Sequence, residues 1–156
     1  MPASAPYHGQ CFCGAIRYRV TQEPLTLYAC HCTECQRRTG SAFALSMWVK
    51  RADVELLAGK PSRYSVTPES GKTKVATFCA HCSARLWGEP MQAPNLAIVQ
   101  PGTLDQPLGL DPVAHIWTRS AQPWFIFAPD AVKYEAQPEH MQDLMELWAR
   151  SRAARV

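Results

Sequence analysis

No run of the sequence comes near the roughly eighteen consecutive apolar residues that a membrane-spanning helix needs, so a transmembrane segment is excluded. The first ten residues, Met1 to Gln10, have neither a charged region nor an apolar one. No secretory signal is expected there, and the chain is read as cytoplasmic. Charge of one sign is scarce as well. Sixteen Lys and Arg against thirteen Asp and Glu leave a net +3 with no Lys/Arg-rich segment, which argues against a nucleic-acid partner. There is no internal repeat, no low-complexity block and no linker. With 47% apolar and 19% charged residues the composition is that of a globular chain rather than a disordered one. A length of 156 residues suits one domain, 1–156, able to bury roughly two-thirds of its unfolded surface.

Helical periodicity is also sparse, whereas turn residues abound: thirteen prolines and eight glycines are spread along the chain. Gly14 to Val20 alternates, with Ile16, Tyr18 and Val20 on one face and Arg17 and Arg19 on the other, the period-2 pattern of a half-buried strand. Ser41 to Val49 reads as a more deeply buried strand. Asp53 to Leu57 and Arg63 to Val66 follow across a Gly59-Lys-Pro61 turn. Lys72 to Phe78 and Ala84 to Gly88 flank Cys79-Ala-His-Cys82 as a zinc-knuckle hairpin would. Leu96 to Val99, Val113 to Thr118 and Trp124 to Phe127 complete the strands. The expected class is mainly β, a sandwich of short antiparallel strands. One helix is predicted near the C-terminus, over about 138–152. Its apolar stripe is Met141, Leu144, Met145 and Trp148, Pro138 and Glu139 fall in its first turn, and Arg150, Arg152 and Arg155 suit its negative end. Such a stripe is expected to dock on the sheet rather than on a membrane.

Seven cysteines, an odd number in a chain with no export signal, argue against a disulfide framework and for metal binding. Cys11-x-Cys13 and Cys79-x2-Cys82 are two thiolate pairs, each beside a predicted strand, and together they meet the four-ligand need of a closed structural zinc site. That ion would staple the N-terminal strand to the hairpin near residue 80. Cys30-His-Cys32-x2-Cys35 offers three further sulfurs. Three ligands and an open position are the arrangement of a catalytic zinc, and a second structural ion completed by a distant residue such as His81 or His115 is the alternative. His31 sits between two ligands, and in an extended segment its side chain would point away from them. Three thiolates leave such an ion net negative, so a bound water is weakly acidified and capture of another thiol is the better-suited chemistry. Arg37 and Arg38 follow directly and could offset the charge of a fourth thiolate.

In this order, with Gln36-Arg-Arg-Thr-Gly-Ser41 after the third group, the cysteine pattern resembles that of the glutathione-dependent formaldehyde-activating enzyme (GFA) family, also called the CENP-V/GFA domain. Gly9-x-Cys11-x-Cys13-Gly14, His115-Ile-Trp117 and Pro123-Trp124 are similar to the family pattern too, and the likeness runs from about residue 8 to 128. The resemblance implies an Mss4-like β-sandwich with two zinc ions. It makes Cys11, Cys13, Cys79 and Cys82 the structural ligands and Cys30, Cys32 and Cys35 the catalytic ones. It also implies a carbon–sulfur lyase-type reaction, the condensation of formaldehyde with glutathione to S-(hydroxymethyl)glutathione or a related thiol adduct.

Under that reading the partners are a small-molecule thiol and a small aldehyde. Arg37 would meet an anionic thiol and His115 would serve as general acid or base. Trp117, Trp124 and Phe43 would wall an apolar pocket, although plain core packing is the commoner place for each of them. A zinc-dependent binding or chaperone-like module without chemistry is the competing reading, and a fixed rather than exchangeable fourth ligand at the second ion would favour it.

Overall fold

The computed structural model describes residues 4–67 and 71–154. In chain order its elements are β1 (Tyr7–Gln10), β2 (Arg17–Val20), β3 (Thr26–Cys30), α1 (Thr33–Thr39), β4 (Ala44–Lys50), β5 (Val54–Ala58), β6 (Ser62–Val66), β7 (Lys74–Phe78), β8 (Arg85–Pro90), β9 (Leu96–Val99), β10 (His115–Ile116) and α2 (Met141–Ala153). Among the described residues the protein is therefore mainly β with two α-helices, one of them near the C-terminus. The chain divides into two compact units, Met1–Pro24 with Met47–Leu110, and Leu25–Ser46 with Asp111–Val156.

In the first unit, the alternation of β2 decides the layering. Tyr18 and Val20 are fully buried, while Arg17 and Arg19 turn outward to pair with Asp105 at 3.2 Å and Glu55 at 2.6 Å. β2 lies between β1 and β5, antiparallel to both. A second antiparallel array runs β4–β9–β8–β7–β6. Tyr18 of β2 meets Trp87 of β8 with ring centroids 5.5 Å apart, an aromatic contact worth about 0.5–1.5 kcal/mol that packs one sheet on the other. Gly9 of β1 is required beneath it, because a Cβ there would lie 2.6 Å from the Tyr18 ring.

The second unit is built around β3, whose five residues are all buried. β10 pairs with it in parallel, His115 opposite Ala29 and Ile116 opposite Cys30, and the start of β4 flanks its other side. α2 covers β3 with Leu144 and Trp148, both buried, and the Thr26 hydroxyl donates to the Leu144 carbonyl at 2.9 Å.

Several expectations are corrected. The strand expected from Gly14 begins only at Arg17, because Gly14 adopts φ +76° in a turn. Val113 to Thr118 contributes two strand residues and stops where Trp117 enters the left-handed region at φ 59°. Trp124 to Phe127 is in no strand. α2 starts at Met141, so Pro138 and Glu139 precede it, and Arg155 lies outside the described residues. β1, β3 and α1 are elements that the pattern did not reveal.

Candidate metal centres

In the first unit two tight turns present four sulfurs. After β1, the amide of Gly14 donates to the Cys11 carbonyl at 3.0 Å, and the amide of Ile16 donates to Cys11 Sγ at 3.3 Å. The β7–β8 hairpin repeats the device. The Ser83 amide donates to the Cys79 carbonyl at 2.8 Å, with Ser83 at φ 62°. Cys11 Sγ is 3.6 Å from Cys13 Sγ, which is 3.8 Å from Cys79 Sγ, and with Cys82 all four sulfurs lie within 4.8 Å of one another. A tetrahedron of sulfurs about 2.3 Å from a central zinc has edges of about 3.8 Å, so this donor set fits that ion. Backbone N–H groups, that of Ala84 foremost, pull the Cys82 thiol down to about 6. Cys82 is thus disposed toward the thiolate, the form that binds metal, while sharing with Cys11 helps push Cys13 up to about 11.

The second unit holds the other three. Cys30 ends β3, Cys32 caps the N-terminus of α1, and Cys35 lies in its first turn, where its amide donates to Cys32 Sγ at 3.3 Å. Cys30 and Cys35 are buried and Cys32 is half-buried. Hydrogen bonds from the Cys30 and Cys35 thiols, joined by backbone N–H groups, hold Cys32 far below the usual thiol range, and the same sharing drives Cys30 up. The three sulfurs lie within 4.8 Å of one another. Among the described residues no fourth His, Cys, Asp or Glu joins them. His31 and His115, in the same unit, are not members of the group.

His31 is fully buried. Its Nε2 lies 2.9 Å from His115 Nδ1, and its ring packs on Phe43, Phe125 and Phe127 at centroid distances of 5.2, 5.0 and 5.4 Å. Burial lowers the basicity of both histidines, and at His31 the neighbouring His115 adds to the effect. His31 Nδ1 has no partner. One of the two facing nitrogens donates and the other accepts, and the tautomers of the two rings set which.

Of the cations, Arg38 reaches the sulfurs: its Nη2 lies 3.5 Å from Cys35 Sγ, while Arg37 is exposed. Phe43 joins the histidine pair. Trp117 instead donates through Nε1 to Gln137 at 3.2 Å, with the Arg119 guanidinium 4.7 Å from its ring, and Trp124 is 68% exposed. Sequence reasoning missed Gln36, Phe125 and Phe127. The signals were present. Phe125 and Phe127 alternate with outward Trp124 and Ile126, and Gln36 directly follows the third cysteine.

All seven cysteines are free thiols. No helix among the described residues is long and apolar enough to cross a membrane.

Comparison with known proteins bears on the family and the fold. The sequence model of the family described as glutathione-dependent formaldehyde-activating enzyme matches residues 6–120. The fold is similar to that of a Rhodobacter sphaeroides protein known from its crystal structure, with a TM-score of 0.52 at 18% identity over 81% of this chain and 98% of that one. No curated protein matches the chain in sequence.

Proposed function

The chain belongs to the glutathione-dependent formaldehyde-activating enzyme family, and from that premise we propose that it is a zinc-dependent carbon–sulfur lyase-type enzyme, joining a thiol to a small aldehyde. The thiol is glutathione or a relative, the aldehyde formaldehyde, and the product S-(hydroxymethyl)glutathione or a related adduct. Cys11, Cys13, Cys79 and Cys82 would hold a structural zinc, and Cys30, Cys32 and Cys35 a catalytic one. One observation carries the reading: the second sulfur group has three members and no fourth protein ligand among the described residues, whereas the first has four. A closed set holds; an open set can exchange.

Cys30, Cys32 and Cys35 would hold the ion, which would supply a Lewis acid that favours the thiolate of an incoming thiol and polarises a carbonyl. The reaction balances simply. The thiol sulfur forms a bond to the aldehyde carbon, the carbonyl π pair moves to oxygen, and the proton lost by sulfur ends on that oxygen. The chain's own task is to tolerate the charge of an additional thiolate. Arg38, against Cys35 Sγ, offsets it from inside, and exposed Arg37 is free to meet a substrate carboxylate. His115, hydrogen-bonded to His31 and made a weaker base by burial, would relay the proton. A reducing cytoplasmic setting, where thiols persist, suits this chemistry.

The test is the initial rate of formaldehyde loss with glutathione, compared with the uncatalysed background and with the Cys32→Ser protein. A rate above background that disappears in Cys32→Ser is expected. A protein that carries two ions yet gives no rate above background would overturn the proposal in favour of a non-catalytic binding module.

A further inference from the structure

The side chain of Gln36 is fully engaged. Its Nε2 donates both hydrogens, to the His31 carbonyl at 2.7 Å and to the Ser120 carbonyl at 2.8 Å. Its Oε1 accepts from Gln122 Nε2 at 2.7 Å. The partners leave one orientation, because a flipped amide would set its oxygen against two carbonyl oxygens. The His31 bond lies within the three-cysteine loop.

The His31 carbonyl belongs to the residue between Cys30 and Cys32. That residue is held on its other side as well, since the His31 amide donates to the Ile116 carbonyl at 3.0 Å. Both hydrogen-bonding groups of the His31 backbone are thus fixed, which sets the relative placement of Cys30 and Cys32 on either side. Gln36 also follows Cys35 on α1, and its own amide donates to the Cys32 carbonyl at 3.0 Å. One residue therefore ties the end of β3, the cap of α1 and the first turn of α1 into a single piece. The Ser120 bond extends the tie to the short turn Thr118–Ser120 after β10.

We propose that Gln36 is the positioning residue of the three-cysteine centre, its amide fixing the loop so that the three sulfurs converge on one ion. The proposal rests on the reading of that group as a metal site. Orientation of ligands by neighbouring hydrogen bonds commonly contributes 10–100-fold to metal affinity, which sets the expected scale.

The zinc-loaded protein offers an internal control, because its four-cysteine centre holds an ion that Gln36 does not touch. Zinc transfer to a chromophoric chelator would be followed in the wild type, Gln36→Glu, Gln36→Leu and Gln122→Leu, with the thermal midpoint of each recorded. Gln36→Glu keeps the shape of the side chain but turns a carboxylate toward two carbonyls. It should speed loss of one ion per chain at least about tenfold and leave the other ion's rate unchanged. Gln122→Leu removes only the bond to Oε1 and should give a smaller acceleration of the same phase, which keeps the test usable if the Gln36 variants fold poorly. Unchanged rates in every variant, or equal acceleration of both ions, would overturn the role of Gln36 alone. A wild type that binds a single ion, retained in Cys32→Ser, would instead overturn the metal reading beneath it.

Discussion

His31 Nε2 and His115 Nδ1 lie 2.9 Å apart, with Phe43, Phe125 and Phe127 packed against the pair. Both imidazoles are weaker bases in the folded chain than in the unfolded one. Below about pH 6.5 the unfolded state therefore binds more protons, and folding stability falls as pH falls. Replacing His115 with Phe removes its share of that dependence. In chemical denaturation of the zinc-saturated protein between pH 5 and 8, the wild type should show the steeper loss toward acid. Parallel profiles would show that acid stability is set elsewhere, at the thiolates.

The two sulfur groups should answer differently to the same substitution. Cys79→Ser breaks a closed four-ligand set in which binding free energy is folding free energy, so the chain should be unfolded or aggregated by circular dichroism and gel filtration. Cys32→Ser should stay folded, with one ion fewer by metal analysis and no activity. Equal loss of structure in both would end the division of labour between the centres.

Arg37 and Arg38 should separate substrate binding from support of the site. Arg37→Ala should weaken use of glutathione by about 1–2 kcal/mol, the scale of a charge-assisted hydrogen bond, while sparing mercaptoethanol, which has no carboxylate. Arg38→Ala should slow both thiols alike, because its guanidinium contacts the protein's own Cys35 sulfur. Steady-state rates of aldehyde consumption with each thiol distinguish these cases.

Gly9→Ala should cost about 1–3 kcal/mol of stability, the range for forcing extra volume into a packed core. The added methyl would meet the ring of Tyr18, itself buried against Trp87. Urea denaturation measures the loss, and a midpoint equal to that of the wild type would mean that the ring has room to retreat.

What could be read in advance divides along physical lines. The grouping of the cysteines was legible because sulfurs able to share one ion must lie close together, which favours short spacings in sequence. β2 and α2 were legible because one face of each is buried and the other is not, which writes a period into the residues. β3 was not, since Thr26, Leu27, Tyr28, Ala29 and Cys30 are all buried and leave no alternation to read. Trp124 to Phe127 shows the converse, an honest alternation of exposed and packed residues in a segment without a strand partner. α1 is seven residues long, buries only Cys35 and carries no apolar stripe. Missing it had a consequence for the site. On a helix, residues three apart are neighbours, so Arg38 and not the adjacent Arg37 reaches Cys35.

The wide separation of the two thiolate pairs in the four-cysteine centre has a consequence for how the protein is made. Five of its seven sulfurs, from Cys11 to Cys35, leave the ribosome before either sulfur of the β7–β8 hairpin. At roughly 5–20 residues per second, Cys79 and Cys82 follow only after a few seconds. During that interval Cys11 and Cys13 have no proper partners, and the nearest spare thiolates are those of the second centre. With ions bound at both groups as proposed, a newborn chain would face a sorting problem, in which an ion captured early is shared among the wrong ligands. The hairpin would resolve it, because two strands joined by a tight turn close within about 1–10 μs of emerging and deliver both missing sulfurs at once.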